Sequence, residues 1–200
     1  RLSPAVLARR RAVVPQATHL SFPFTVIEVV RLGASVPGFD DIETRAHRIA
    51  DQALRAVDIE HLRTRLYSEL SGGEKQRVHI ARALCQLDAA PRGAEEAAIL
   101  MLDEPTASLD LAHQARVLDE ARHQAGLGRA VLIVIHDLNL AAMIATRLLM
   151  LRDGSLFESG APRDVISDST LQQVFGVANA AGVIPSSDLP FVLPHSGRIV

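Results

Sequence analysis

Ile99-Leu100-Met101-Leu102-Asp103-Glu104-Pro105 is a bare apolar run that ends in two acids and a proline. With Ala98 before it, the run has no polar face to offer water, so it reads as a strand buried on both sides, as in a parallel sheet covered by helices. Ala130-Val131-Leu132-Ile133-Val134-Ile135 is a second run of the same kind, and the stretch from about Leu111 to Gln124 between them is helical. Strand, helix, strand in that order is a βαβ unit, which makes the chain α/β with a mostly parallel sheet. A strand of this sort delivers its last side chains to the carboxyl edge of the sheet, where α/β proteins place ligands. Two adjacent carboxylates there repel one another unless a cation or a proton is shared. One acid can face Mg²⁺ through its water shell while its neighbour aims at an attacking water. The plainer alternative has Asp103 capping the next turn and Glu104 solvated. The apolar run before the pair and Pro-Thr-Ala-Ser-Leu-Asp after it favour chemistry.

Upstream lies Leu70-Ser71-Gly72-Gly73-Glu74-Lys75-Gln76-Arg77. Ser71 and Glu74 form a capping box at the start of a helix carrying Val78, Ala81 and Leu84. Capping leaves the glycines unexplained, since each costs up to ~1 kcal/mol in a first helical turn. Paired glycines let a ligand approach the backbone at the positive end of the helix, an arrangement suited to phosphate.

Around these segments, Ala12-Val13-Val14-Pro15-Gln16 reads as the end of a strand running into a loop. Thr25 and Glu28 form another capping box, Pro37 to Asp41 is loop chemistry, and a helix spans about Thr44 to Val57. Asp88 to Ala97 is a spacer. Beyond it come a helix over Leu138–Thr146, a strand over Leu148–Leu151, an Asp153-Gly154 hairpin cue, two short helices (Pro162–Ile166 and Ser169–Phe175) and an extended end around Phe191-Val192-Leu193. Across 200 residues, 48% apolar and 22% charged with a formal net charge of −2, no basic field exists for nucleic acid. One cysteine, Cys85, excludes a disulfide framework and a Cys-rich zinc site. No apolar run approaches the ~20 residues of a membrane span.

Leu70-Ser71-Gly72-Gly73-Glu74, the run from Asp103-Glu104-Pro105 to Asp110, and Val134-Ile135-His136-Asp137, in that order, resemble the nucleotide-binding subunit of an ABC transporter. The resemblance covers nearly the whole chain. It implies a P-loop NTPase-like sheet with helices on both faces and a helical subdomain. A single domain over 1–200 would hold that subdomain at about 34–90 and the remaining core at 98–160. By the same resemblance, Ser71, Gly72 and Gly73 contact the γ-phosphate of ATP held by the opposite protomer. Asp103 holds Mg²⁺ through water, Glu104 is the general base, Ala107 to Asp110 cross the dimer seam, and His136 reads the γ-phosphate. Gln16 touches the metal and its water and couples to the membrane subunit. Asp110 can also be simply the N-cap of the next helix.

Phe22-Pro23-Phe24-Thr25-Val26, Leu109-Asp110-Leu111-Ala112-His113-Gln114, the spacer and the ending Val174-Phe175-Gly176-Val177 resemble haem import ATP-binding proteins, within the iron-siderophore, haem and cobalamin importer group. That implies ATP hydrolysis energising haem uptake and a homodimer docked on two transmembrane permease subunits. It also implies a periplasmic or surface substrate-binding protein reached through the permease. The location implied is peripheral, on the cytoplasmic face of the inner membrane. Neither His113 nor Cys85 is expected to ligate haem iron.

Gly-x-x-x-x-Gly-Lys-[Ser/Thr] occurs nowhere in the chain, whose one lysine, Lys75, follows Glu74. The expectation is therefore an N-terminally incomplete cassette that hydrolyses ATP only when intact. The competing readings are a ferric-siderophore or cobalamin importer subunit, a chromosome-maintenance ABC head, and a non-catalytic module that kept the fold. The second is disfavoured by the absence of sustained heptads between Gln16 and Leu70.

Overall fold

The structure is a computed structural model that describes residues 2–16, 20, 22–35, 43–90, 97–178, 181–186, 188 and 190. The Pro37–Asp41 loop, most of the spacer and Phe191–Leu193 lie outside the described residues. The chain forms two compact units, Arg1–Val134 and Ile135–Val200.

The first unit is organised by a three-stranded parallel sheet in the order β1-β2-β3, with β1 at Arg11–Val14, β2 at Ile99–Asp103 and β3 at Ala130–Val134. The register sets Val14 beside Leu102 and Asp103 beside Val134. Helix α5 (Leu111–Gly126) is the crossover between β2 and β3, as the βαβ reading requires. Burial differs from the sequence expectation. In β2, Leu100 and Leu102 are buried while Ile99 and Met101 are only half-buried, and in β3 Leu132 and Val134 are 40% and 47% exposed. Within this unit α5 packs against β3 and α4 (Gly72–Ala89) against β1, so these strands alternate instead of being buried on both faces.

Helix α1 (Pro4–Arg10) precedes β1 and was not anticipated; Ser3 caps it and Pro4 opens it. Helix α2 (Val26–Arg31) starts at the expected box, with the Thr25 N–H donating to a Glu28 carboxylate oxygen at 2.7 Å. Helix α3 (Glu43–Ala56) buries Ile49, Ala50, Ala53 and Leu54. Both pack on α4 (Gly72–Ala89), whose Val78, Ile80, Ala81, Leu84, Cys85 and Leu87 are all buried. Burial pushes the Cys85 thiol up to about 12, so it stays a neutral packing group.

A polar pair sits inside this helical layer. The Tyr67 hydroxyl and His79 Nε2 are 2.7 Å apart, and His79 Nδ1 has no hydrogen-bond partner among the described residues. Burial, assisted by the Arg82 charge, pushes His79 down from 6.5 to about 4. The unfolded chain therefore takes up this proton before the folded one does. Stability is retained above about pH 6.5 and lost as pH falls from 6.5 towards 4. His79→Gln keeps a partner for Tyr67 without a titration. It is expected to flatten the fall in melting temperature over that window; an unchanged profile would contradict the assignment.

The second unit contains α6 (Leu138–Ile144), a hairpin of β4 (Leu148–Arg152) and β5 (Ser155–Gly160), α7 (Pro162–Val165) and α8 (Asp168–Phe175). The two hairpin residues Asp153 and Gly154 have φ of 50° and 75°, the left-handed pair of the turn that matches strand twist.

Candidate functional site

Two clusters of the sequence-derived residues take shape in the first unit. At the carboxyl edge of the sheet, Gln16 lies two residues past Val14 and Glu104 two past Leu102, and Val14 and Leu102 are register partners. Gln16, Asp103 and Glu104 therefore leave the sheet at one edge. The Glu104 N–H donates to the Val134 carbonyl at 3.0 Å, and its own carbonyl accepts from Ala107 at 3.3 Å. Between these bonds its φ is +48°, left-handed for a residue with a Cβ. Such a backbone costs about 1–3 kcal/mol and persists where its surroundings enforce it. It ends the side-chain alternation of β2 and sends the chain sharply into the loop that follows.

The second cluster is a cleft of about 470 Å³ lined by Ser71, Gly72, Gly73, Glu74, Arg77, Ser108, Leu109, Asp110 and His113. Ser71 caps α4: its hydroxyl accepts from the Glu74 N–H at 3.3 Å while its own N–H donates to the Glu74 carboxylate at 2.7 Å. The Ser71 side chain first, then its backbone N–H, holds the Glu74 carboxyl below the usual range. A helix leaves its first four N–H groups without intrahelical partners. With Glu74 supplied by the cap, the Gly72 and Gly73 N–H groups face outward at the positive helix end. The two glycines part company here. A Cβ on Gly73 would stand 2.7 Å from the Ser108 carbonyl oxygen, whereas one on Gly72 would meet nothing within 4 Å. Close packing therefore explains Gly73 without any ligand. Gly72 is accounted for by neither capping nor packing.

Opposite, Asp110 caps α5, one carboxylate oxygen accepting from the His113 N–H at 2.9 Å and lying 2.8 Å from His113 Nδ1. The backbone bond first, then the ring bond, holds its carboxyl low. Both carboxylates of the cleft are thus already engaged. Asp110→Ala is expected to lower the melting temperature by roughly 2–4 °C, and Asp110→Asn by much less because Asn caps as well; equal losses in thermal melts would contradict a capping role.

Arg77, 7% exposed, sends its guanidinium to the Val57 and Asp58 carbonyls at 3.2 and 2.7 Å. Arg116 of α5 reaches the Ala56 and Arg55 carbonyls, each at 3.3 Å. The end of α3 is thereby clasped from both sides beside the cleft. Sequence reasoning missed Arg77 and also Gln114. Their partners are carbonyls of other elements, which leave no local pattern.

Asp103 and Glu104 do not line the cleft; the loop from Pro105 to Leu109 separates the two clusters. His136 belongs to the second unit, two residues beyond the end of β3, where it lines a pocket with Leu138, Asn139, Ile166, Leu171 and Phe175. Among the described residues no group of three or more His, Cys, Asp or Glu could hold a metal ion, and no helix is long and apolar enough to cross a membrane.

A parallel βαβ core ending in paired acids, with a glycine-fronted helix across a short loop, defines the nucleotide-binding cassette class. The ABC transporter family model matches residues 3–107, and the chain belongs to that family. It is 50% identical over 199 residues to the hemin import ATP-binding protein HmuV of Rhizobium meliloti (strain 1021), spanning 99% of this chain and 74% of that one. Among solved structures it resembles a metal-chelate type ABC transporter in an inward-facing conformation. That match has 28% identity and a TM-score of 0.69, and covers 84% of this chain and 64% of the other. It also resembles a dimeric ATP-binding cassette in a post-hydrolysis state bound to ADP and Pi, at 26% identity and TM-score 0.67 over 80% of this chain and 66% of the other. The chain thus spans just under two thirds of these solved cassettes.

Proposed function

We propose that this chain is the ATP-hydrolysing cassette of an importer and that its cargo is haem. The observation that carries the reading is the separation of the two clusters. The cleft offers anion donors but both of its carboxylates are taken up by helix caps, and Glu104 stands at the sheet edge outside it. A second copy brings the two together, with Ser71, Gly72 and Gly73 of one chain closing on the γ-phosphate of ATP held by the other. The dimeric relative with ADP and Pi supports that arrangement.

In this mechanism the Glu104 carboxylate takes a proton from the attacking water as the water oxygen bonds to the γ-phosphorus and the bond to the β,γ-bridging oxygen breaks, releasing ADP and phosphate. The Gly72 and Gly73 N–H groups and the Ser71 hydroxyl stabilise the charge on the transferred group. His136 donates a hydrogen bond to a γ-phosphate oxygen, and Asp110 holds the seam. Asp103 and Gln16, which leave the sheet at one edge, fit Mg²⁺, which is bound through one or two carboxylates together with phosphate and water. Mg²⁺, when bound, neutralises phosphate charge. The lysine loop that neutralises the β- and γ-phosphates does not occur in these 200 residues.

The haem cargo rests on the relatives' names. It brings two transmembrane permease subunits, a substrate-binding protein beyond them, and a peripheral position on the cytoplasmic face of the membrane. Reconstitution of the intact subunit with its permease tests the proposal. ATP turnover stimulated by haem-loaded binding protein is expected. Stimulation by a ferric siderophore or cobalamin instead would replace the cargo, and no turnover would leave a non-catalytic module.

A further inference from the structure

Gln114 stands on the first turn of α5, half-buried, and its side-chain amide donates to the Thr106 carbonyl at 3.2 Å and the Leu109 carbonyl at 3.0 Å. An amide NH₂ has two hydrogens, and both are used. Within the loop between Glu104 and Asp110 there are also two long backbone bonds among the described residues. Ala107 donates to Glu104 at 3.3 Å and Leu109 to Thr106 at 3.2 Å. Inside the arc that Gln114 spans lies Ser108, whose carbonyl packs against Gly73 so closely that no Cβ fits there.

We infer that Gln114 is a positioning residue, its carboxamide spanning Thr106 to Leu109 so that the loop holds Glu104 and the Ser71–Gly73 cleft in fixed relation. The inference rests on the proposed ATPase reading. The loop begins at Glu104, whose left-handed backbone is closed by the Ala107 bond, and ends at Asp110, which caps α5 and walls the cleft. If the arc slackens, the Ser108 carbonyl shifts on Gly73 and Glu104 loses the bond that closes its turn. Gln114 touches neither triphosphate nor water in this scheme. It acts through the loop, and misplacement of reacting groups by ~1 Å costs up to about 100-fold in rate.

The test uses the intact subunit assembled with its permease, comparing wild type with Gln114→Met, which keeps length but has no donor, and Gln114→Glu, which sets a carboxylate against two carbonyl oxygens. The expected result is a 10- to 100-fold lower kcat with KM for ATP within about threefold. Hydrogen exchange at the Ala107 and Leu109 amides should rise about tenfold, and the melting temperature should stay within a few degrees. A kcat within twofold of wild type, or unchanged exchange at those amides, overturns the inference. A fall in kcat that merely follows a large loss of melting temperature in both variants overturns it too. Wild type without ATP turnover would instead sink the ATPase reading, and the exchange comparison alone would then decide the role of Gln114.

Discussion

Glu104→Gln in the intact subunit is expected to cut ATP turnover by at least about 100-fold and to leave a dimer filled with ATP. A positioned general base contributes about 10²–10⁴-fold, and an amide of the same shape cannot take the water's proton. Binding should survive, because the groups proposed to hold the phosphate, Ser71, Gly72 and Gly73, lie in the other cluster. The backbone should survive as well. The +48° φ at Glu104 strains Gln as much as Glu, and both bonds that fix it come from main-chain atoms. Turnover and sizing with and without ATP check this. Hydrolysis at the wild-type rate would remove Glu104 from the chemistry.

The second large effect separates the two glycines. Gly72→Asp puts a carboxylate at the first position of α4, where negative charge favours the helix, and its Cβ meets nothing within 4 Å. The fold should be kept or slightly stabilised, while the new charge lies where the γ-phosphate of the partner's ATP would sit. Two like charges ~4 Å apart near a surface repel by about 4 kcal/mol, so ATP-driven dimerisation should weaken about 100-fold or more. Gly73→Ala does the reverse. Its Cβ would press on the Ser108 carbonyl 2.7 Å away, so it should lower the melting temperature by several degrees through a forced shift costing about 1–3 kcal/mol. Thermal melts and ATP-dependent sizing distinguish the two. If Gly72→Asp still dimerised with ATP, the cleft would not be a phosphate site.

What could be read in the sequence was what local pattern determines. Strands β1 to β3, the capped start of α4, the crossover α5 and the Asp153-Gly154 turn each carry their own signal. Helix α1 does not. It is seven residues long, and Gln86 of α4 ties it down by donating to the Ala8 and Arg11 carbonyls, a partner more than seventy positions away. The apolar run of β3 suggested two-sided burial, yet Leu132 and Val134 are exposed. A run of apolar residues reports what a face prefers, not whether the described residues cover it. The same limit applied to the glycine pair, since only the fold shows Ser108 against Gly73 and open space at Gly72. Arg77 and Gln114 were invisible because they bond to carbonyls, which every residue possesses.

Mixed dimers test most directly whether the triphosphate is shared across two chains. Subunits carrying Glu104→Gln alone and Gly72→Asp alone should, when paired, spoil one composite site and leave the other intact, so ATP turnover persists. A subunit carrying both changes, paired with wild type, should spoil both sites and abolish it. Turnover in the second pairing and none in the first would place base and glycines on the same ATP within one chain, contradicting the account.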